Sequence, residues 1–202
     1  KPKWIIGFSD ITVLHAHINR RFGIATLHAP MAGAFNDDGY ENEFVRSLQK
    51  AVTGKKLNYI LPATSYDRKG MAEGELIGGN LSMIAHLVGT PSSYKTENKI
   101  LFIEDIGEYL YHIDRLLMQL KRSGMFANIA GFVVGRFTEM KDTTIPFGQT
   151  IYEIIFDKVK EYAFPVCFDF PVSHGTENYA LKTGVLYRLK VGAAYSRLQE
   201  IV

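Results

Sequence analysis

The chain has 202 residues, 47% hydrophobic and 22% charged, enough to bury one sizeable core. Its net charge of +2 is scattered over both signs with no block of like charge, which argues against a nucleic-acid partner and an anionic membrane surface. A single cysteine, Cys167, excludes an intrachain disulfide, and no apolar run approaches the roughly 20 residues that span a bilayer.

Apolar runs alternate with helical patterns, the signature of an α/β arrangement. Trp4 to Phe8 predicts a short buried strand, and Asp10 to Arg21 a helix with Ile11, Leu14, Ile18 and Phe22 at helical spacing. Residues 23–42, with Pro30, Gly33, Gly39 and the Asn36-Asp37-Asp38 cluster, read as irregular. Glu43 to Val52 follows as a helix closed by Gly54, then Leu57 to Leu61 as a strand. An alternating strand, Gly70 to Leu76, runs through Gly78-Gly79-Asn80 into an apolar helix, Leu81 to Val88, which Pro91-Ser92-Ser93 breaks.

Lys99 to Ile103 predicts a buried strand ending on Glu104-Asp105. The next helix carries the clearest stripe, Leu110, Ile113, Leu116, Leu117 and Leu120, with Gly124 where a C-terminal cap belongs. Ile129 to Val134 reads as a strand, Gln149 to Tyr162 as a helix and Val166 to Phe170 as a strand. Beyond His174 come paired strands, Tyr179 to Val191 and Ala194 to Val202, with turn signals at Lys182-Thr183-Gly184 and Gly192. The expected fold is therefore a compact α/β body rather than an open doubly wound sheet. A strand–turn–helix leads into a C-terminal α/β domain with a mixed sheet and terminal antiparallel strands.

Three positions could carry chemistry. Gly7-Phe8-Ser9-Asp10 puts a serine between an apolar strand and an amphipathic helix, where a tight turn would expose it and the Asp10 amide at the helix start could donate to an oxyanion. The motif lacks the second glycine of a G-x-S-x-G elbow, and a serine before aspartate is also an ordinary helix N-cap. Glu104 closes a strand at the edge where loops converge, so it could orient an imidazole or serve only locally; the two readings are even. Asp105 and Glu108 read as caps of the following helix, favoured by its dipole. His174, flanked by glycine in a polar loop, is the best candidate base.

The other histidines offer less. His15 and His17 are two apart on a helix and point in different directions, so they share no metal; His86 and His112 lie in apolar helices; His28 alone stays in view. No metal-binding motif is present, and Gly78-Gly79-Asn80 lacks the Lys-Ser/Thr of a phosphate loop, so its default is close packing with Asn80 as an N-cap. Cys167 sits in an apolar run and reads as a buried small residue.

Taken in order, these segments resemble the LD-carboxypeptidase family of serine peptidases, which includes murein tetrapeptide carboxypeptidases and microcin C self-immunity hydrolases. The stretches that carry the resemblance begin with Gly7-Phe8-Ser9-Asp10-Ile11-Thr12, Leu27-His28-Ala29-Pro30-Met31 and Gly74 to Leu81. They continue with Leu87-Val88-Gly89-Thr90-Pro91, Leu101 to Glu108, Ile113-Asp114-Arg115 and Pro171-Val172-Ser173-His174-Gly175. The resemblance implies a Ser-Glu-His triad of Ser9, Glu104 and His174, separated by 95 and 70 residues, with the Asp10 amide in the oxyanion hole and no cofactor or metal.

It also implies a muropeptide substrate that loses its terminal D-alanine, cytoplasmic peptidoglycan recycling and a homodimer, with no nucleic-acid or membrane partner. The alternatives are a peptide–nucleotide amide hydrolase of the microcin C type and a catalytically incomplete fragment or binding module. The implied division is 1–22 as the remnant of an N-terminal α/β domain carrying the nucleophile, 23–65 as a connecting region, and 66–202 as the C-terminal domain carrying acid and base. The family's upstream glycine-rich loop, source of a second oxyanion donor, is not among these residues, so a longer chain is expected.

Overall fold

A computed structural model describes residues 3–35 and 41–201. In chain order its elements are β1 (Ile6–Gly7), α1 (Thr12–Phe22), β2 (Thr26–His28), α2 (Glu43–Val52) and β3 (Asn58–Pro62). Then come β4 (Gly70–Asn80), α3 (Leu81–Leu87), β5 (Ile100–Ile106), α4 (Leu110–Arg122) and β6 (Gly131–Thr138). The chain ends with α5 (Ile151–Val159), β7 (Val166–Phe170), β8 (Leu181–Thr183), β9 (Val185–Val191) and β10 (Tyr195–Glu200). Asn36-Asp37-Asp38 and Gly39 fall outside the described residues.

Seven strands form one mixed sheet in the order β3-β10-β9-β4-β5-β6-β7. Its β4 to β7 half is parallel and its other half antiparallel. Because side chains alternate across a strand, a parallel strand covered on both sides must be apolar at every position. β5 shows this directly. Leu101 and Ile103 meet α3, α4 and α5 on one face, with Ile84, Leu117 and Ile155 in the same core. Ile100 and Phe102 face the other way, into a second core with Leu27 of β2 and Leu48 of α2.

Helix boundaries follow their caps. Asn42 accepts from Phe44 N at 2.8 Å to start α2, Thr150 and Glu153 form a capping box on α5, and Gly23 ends α1 at φ +61°.

Several expectations needed correction. The stretch Trp4 to Phe8 is strand only at Ile6–Gly7, and Trp4, Ile5 and Ile6 are exposed, since β1 pairs with β2 alone at the edge of a small sheet. Within the region read as irregular, Thr26–His28 is a fully buried strand, paired parallel to β1 and antiparallel to β8, and Ala32–Phe35 is a 3-10 turn. The long strand from Tyr179 splits at Gly184, whose φ of +78° turns β8 into the small sheet while β9 stays in the large one. β5 does not stop at Ile103 but carries Glu104 and Asp105 within it, which buries both carboxylates.

Candidate active site

The sharpest local geometry lies at the end of β1. Ser9 opens a 3-10 turn that runs into α1, and its φ of +60° is in the left-handed region that costs a non-glycine residue strain. Gly7 makes room for it, because a Cβ there would sit 2.8 Å from Ile11 Cγ1. The Ser9 side chain caps neither the turn nor the helix, so the N-cap reading falls away. His15 reaches back from α1 and donates through Nε2 to the Gly7 carbonyl at 2.9 Å, and Ala29 N donates to the same oxygen at 3.2 Å. A strained serine is thus held between a pinned glycine and the first turn of a helix, whose leading N–H groups lack intrahelical acceptors.

α1 is in turn fixed to the large sheet. Thr12 Oγ1 accepts from Asn80 N at 3.0 Å, and Gly79 permits this approach: a Cβ there would lie 2.3 Å from the same oxygen. Asn80 caps α3 through Met83 N at 3.1 Å, so the Gly78-Gly79-Asn80 segment does what its default reading expected. Asp105 completes the junction with four hydrogen bonds, accepting from Asn80 Nδ2, Ser82 N, Ser82 Oγ and Ile106 N at 2.7–2.9 Å. It therefore braces the helix before it rather than the one after it. Glu108 pairs with His112 and likewise does not cap.

Glu104 differs from its neighbour. It is fully buried, and His174 Nδ1 donates to its Oε2 at 2.7 Å, while Oε1 has no partner among the described residues. The structure thus brings together two candidates that lie 70 residues apart. Burial drives the Glu104 pKa above the usual carboxylate range, opposed by His174 and reinforced by Asp105. Burial alone would lower His174, but the Glu104 hydrogen bond and charge, followed by the charges of Asp105 and Asp10, hold it above 6.5.

The other ring nitrogen, His174 Nε2, is buried and has no partner among the described residues. The Phe8 ring packs edge-on against the same imidazole at 4.8 Å, which sets the His174 loop directly beside the Ser9 turn. A cleft of about 530 Å³ opens here, lined by Phe8, Pro30, Met31, His174, Thr176 and Asn178 among others. This combination can move a proton between a hydroxyl and an amine, since one imidazole nitrogen is fixed by a carboxylate and the other is free.

Residues 73–189 match the LD-carboxypeptidase C-terminal domain, and residues 1–29 match the LD-carboxypeptidase N-terminal domain. A protein of Bacillus subtilis named probable murein peptide carboxypeptidase is 35% identical over 192 residues, covering 91% of this chain and 58% of its own length. The chain belongs to the LD-carboxypeptidase family. The murein tetrapeptide carboxypeptidase of Pseudomonas aeruginosa is 29% identical over 198 residues, covering 92% of this chain and 63% of that protein. The crystal structure of muramoyltetrapeptide carboxypeptidase from Oxalobacter formigenes superposes with a TM-score of 0.89 at 26% identity, over 98% of this chain and 68% of that one. The chain thus spans about three fifths of the curated relatives it matches.

The remaining histidines of this LD-carboxypeptidase chain lie apart from the Glu104–His174 pair. His17 bonds Ser92 Oγ at 2.8 Å, well away from the His15 contact, and His86 bonds the Ser82 carbonyl one turn back on its own helix. His28 is the exception, fully buried and near both Phe8 and Phe102. Sequence reasoning missed the Phe8 contact and the buried Asn178, for which no motif gave a signal. It also missed Arg136, which donates to Asp169 at 2.9 Å and pairs with Glu177, tying down the loop that carries His174. Among the described residues, no helix is long and apolar enough to cross a membrane.

Proposed function

We propose that this chain carries the catalytic residues of a serine carboxypeptidase that hydrolyses the L,D-amide bond of murein tetrapeptides and releases the terminal D-alanine. The observation that carries this reading is the His174 imidazole, held at Nδ1 by buried Glu104 and open at Nε2, beside the strained Ser9 turn. In this reading Ser9 Oγ attacks the carbonyl carbon of the scissile amide while His174 Nε2 takes the hydroxyl proton. Charge gathers on the carbonyl oxygen, where the Asp10 amide donates; one such donor contributes about 10²–10³ in rate.

The tetrahedral intermediate collapses, the C–N bond breaks, and the D-alanine amine leaves with the proton from His174. Water, deprotonated by the same nitrogen, then attacks the acyl-enzyme and restores Ser9. Glu104 keeps the proton on Nδ1 throughout and offsets the charge of the imidazolium. The substrate class rests on the relatives named murein peptide and murein tetrapeptide carboxypeptidase. Cytoplasmic peptidoglycan recycling and a homodimeric assembly belong to the same reading and rest on that kinship.

The test is D-alanine release from a murein tetrapeptide, with a peptide–nucleotide conjugate as the rival substrate. Turnover of the tetrapeptide, lost by at least about 10⁴-fold in Ser9→Ala, is the expected result. Turnover of the conjugate alone would move the chain to the microcin-type activity, and an active Ser9→Ala would remove Ser9 from the mechanism.

A further inference from the structure

The proposed triad leaves a second set of buried polar atoms unexplained. His28 is fully buried on β2, and neither of its ring nitrogens has a hydrogen-bond partner among the described residues. Asn178 is buried as well, and its Oδ1 is also unpartnered. Buried polar atoms left unpaired are costly, so a site that keeps several of them is built to be completed by something else.

The two side chains are neighbours: the Asn178 amide favours the charged form of His28, although their contact falls short of hydrogen-bond geometry. Burial dominates nonetheless and, with His15 and His174 nearby, holds His28 well below its ordinary range. The ring is therefore neutral and carries one N–H. Asn178 Oδ1 is the buried end of the amide, beside His28, which leaves Nδ2 as the end available to the cleft that Asn178 shares with His174. No described residue accepts from Nδ2. The described lining of the cleft also contains no lysine or arginine.

We infer that Asn178, with its carbonyl oxygen buried on the His28 side, reads the free carboxylate of the substrate's C-terminal residue through its amide N–H. The inference rests on the carboxypeptidase reading above. An exopeptidase must tell a chain end from a chain interior, and the terminal carboxylate lies within one residue of the carbonyl that Ser9 attacks. That places it in the cleft beside His174. A neutral amide N–H makes a charge-assisted bond to a carboxylate, and a site built to bond a substrate group discriminates against the analogue that lacks it.

Two substrates separate this role from a structural one: a murein tetrapeptide with its free terminal carboxylate, and the same peptide as its C-terminal amide. In Asn178→Ala, kcat/KM for the free acid should fall about 10- to 100-fold, and for the amide less than about threefold. Asn178→Asp keeps the volume and sets one carboxylate against another, so it should lose more on the acid and reverse the preference toward the amide. Labelling of Ser9 by a fluorophosphonate at the unaltered rate should show that each variant keeps its site assembled. Equal losses on both substrates, or no loss on the acid, would overturn the role of Asn178 while leaving the triad reading intact. Failure of the unaltered protein to release D-alanine overturns both.

Discussion

The β4–α3 junction and the Glu104–His174 pair draw on adjacent residues of β5, yet they treat buried polarity in opposite ways. At the junction Asp105 accepts four hydrogen bonds, and Thr12, Asn80 and Ser82 join the same network. Around the Glu104–His174 pair, Glu104 makes one bond, and Glu104 Oε1, His174 Nε2, both nitrogens of His28 and Asn178 Oδ1 have no partner among the described residues. Two adjacent acidic residues of similar burial have thus been put to different uses. The saturated one fixes backbone, and in the proposed mechanism the unsaturated one serves the chemistry at a cost in stability. Exposure alone does not separate them, since both are essentially inaccessible; the count of satisfied atoms does.

Glu104→Gln should therefore cost rate rather than fold. We expect kcat to fall about 10³- to 10⁴-fold, because the neutral amide no longer fixes the His174 tautomer or balances its charge. Stability should shift by no more than about 1 kcal/mol, as an ion lifted in pKa by burial is removed. The pH profile sharpens the point. Glu104 raises the His174 pKa, and the base must be neutral to act, so the acid limb of kcat/KM should move to lower pH in the variant.

The same shift has a consequence for stability. A His174 pKa raised above 6.5 contributes stability that is full below that value and is lost as pH rises through the raised one. Urea denaturation on either side of that window should show the contribution in the unaltered protein and its absence in Glu104→Gln.

Asp105→Asn should do the reverse. An amide nitrogen there would face N–H and O–H donors, and the unfolding free energy should drop by about 2–3 kcal/mol. Protein that remains folded should keep its kcat within about tenfold. The smallest effect is expected at Thr12→Val, which keeps the shape but removes the acceptor for Asn80 N, at about 1–2 kcal/mol in a thermal melt. If Asp105→Asn proved the kinetically damaging change and Glu104→Gln the destabilising one, the contrast between the two regions would be wrong.

Much of this was legible in the residues themselves. Glu43–Val52 and Val166–Phe170 appear with the bounds read from the sequence, because one carries a helical stripe and the other is a short apolar run between clear stop signals. β2 went unread because three residues between Gly23 and Pro30 are too few to show a period, and their partners lie at Ile6–Gly7 and Leu181–Thr183. The Trp4 to Phe8 run looked buried because its composition is apolar, yet composition says nothing about whether a neighbour covers it. His174 was legible as the best candidate base from its glycine-flanked loop; local reasoning left Glu104 even, the resemblance selected it, and the 2.7 Å contact pairs it with the histidine. His28 stayed in view without a role and Asn178 was not singled out, since an unpaired buried atom is a property of the folded surroundings.

The central claim is that Ser9 is a nucleophile activated by His174, and peptide mapping after fluorophosphonate labelling of the folded protein tests it most directly. The account predicts a single adduct on the peptide containing Ser9, formed by the unaltered protein and abolished in His174→Ala. An adduct on another residue, or one on Ser9 that forms equally well without His174, would contradict it.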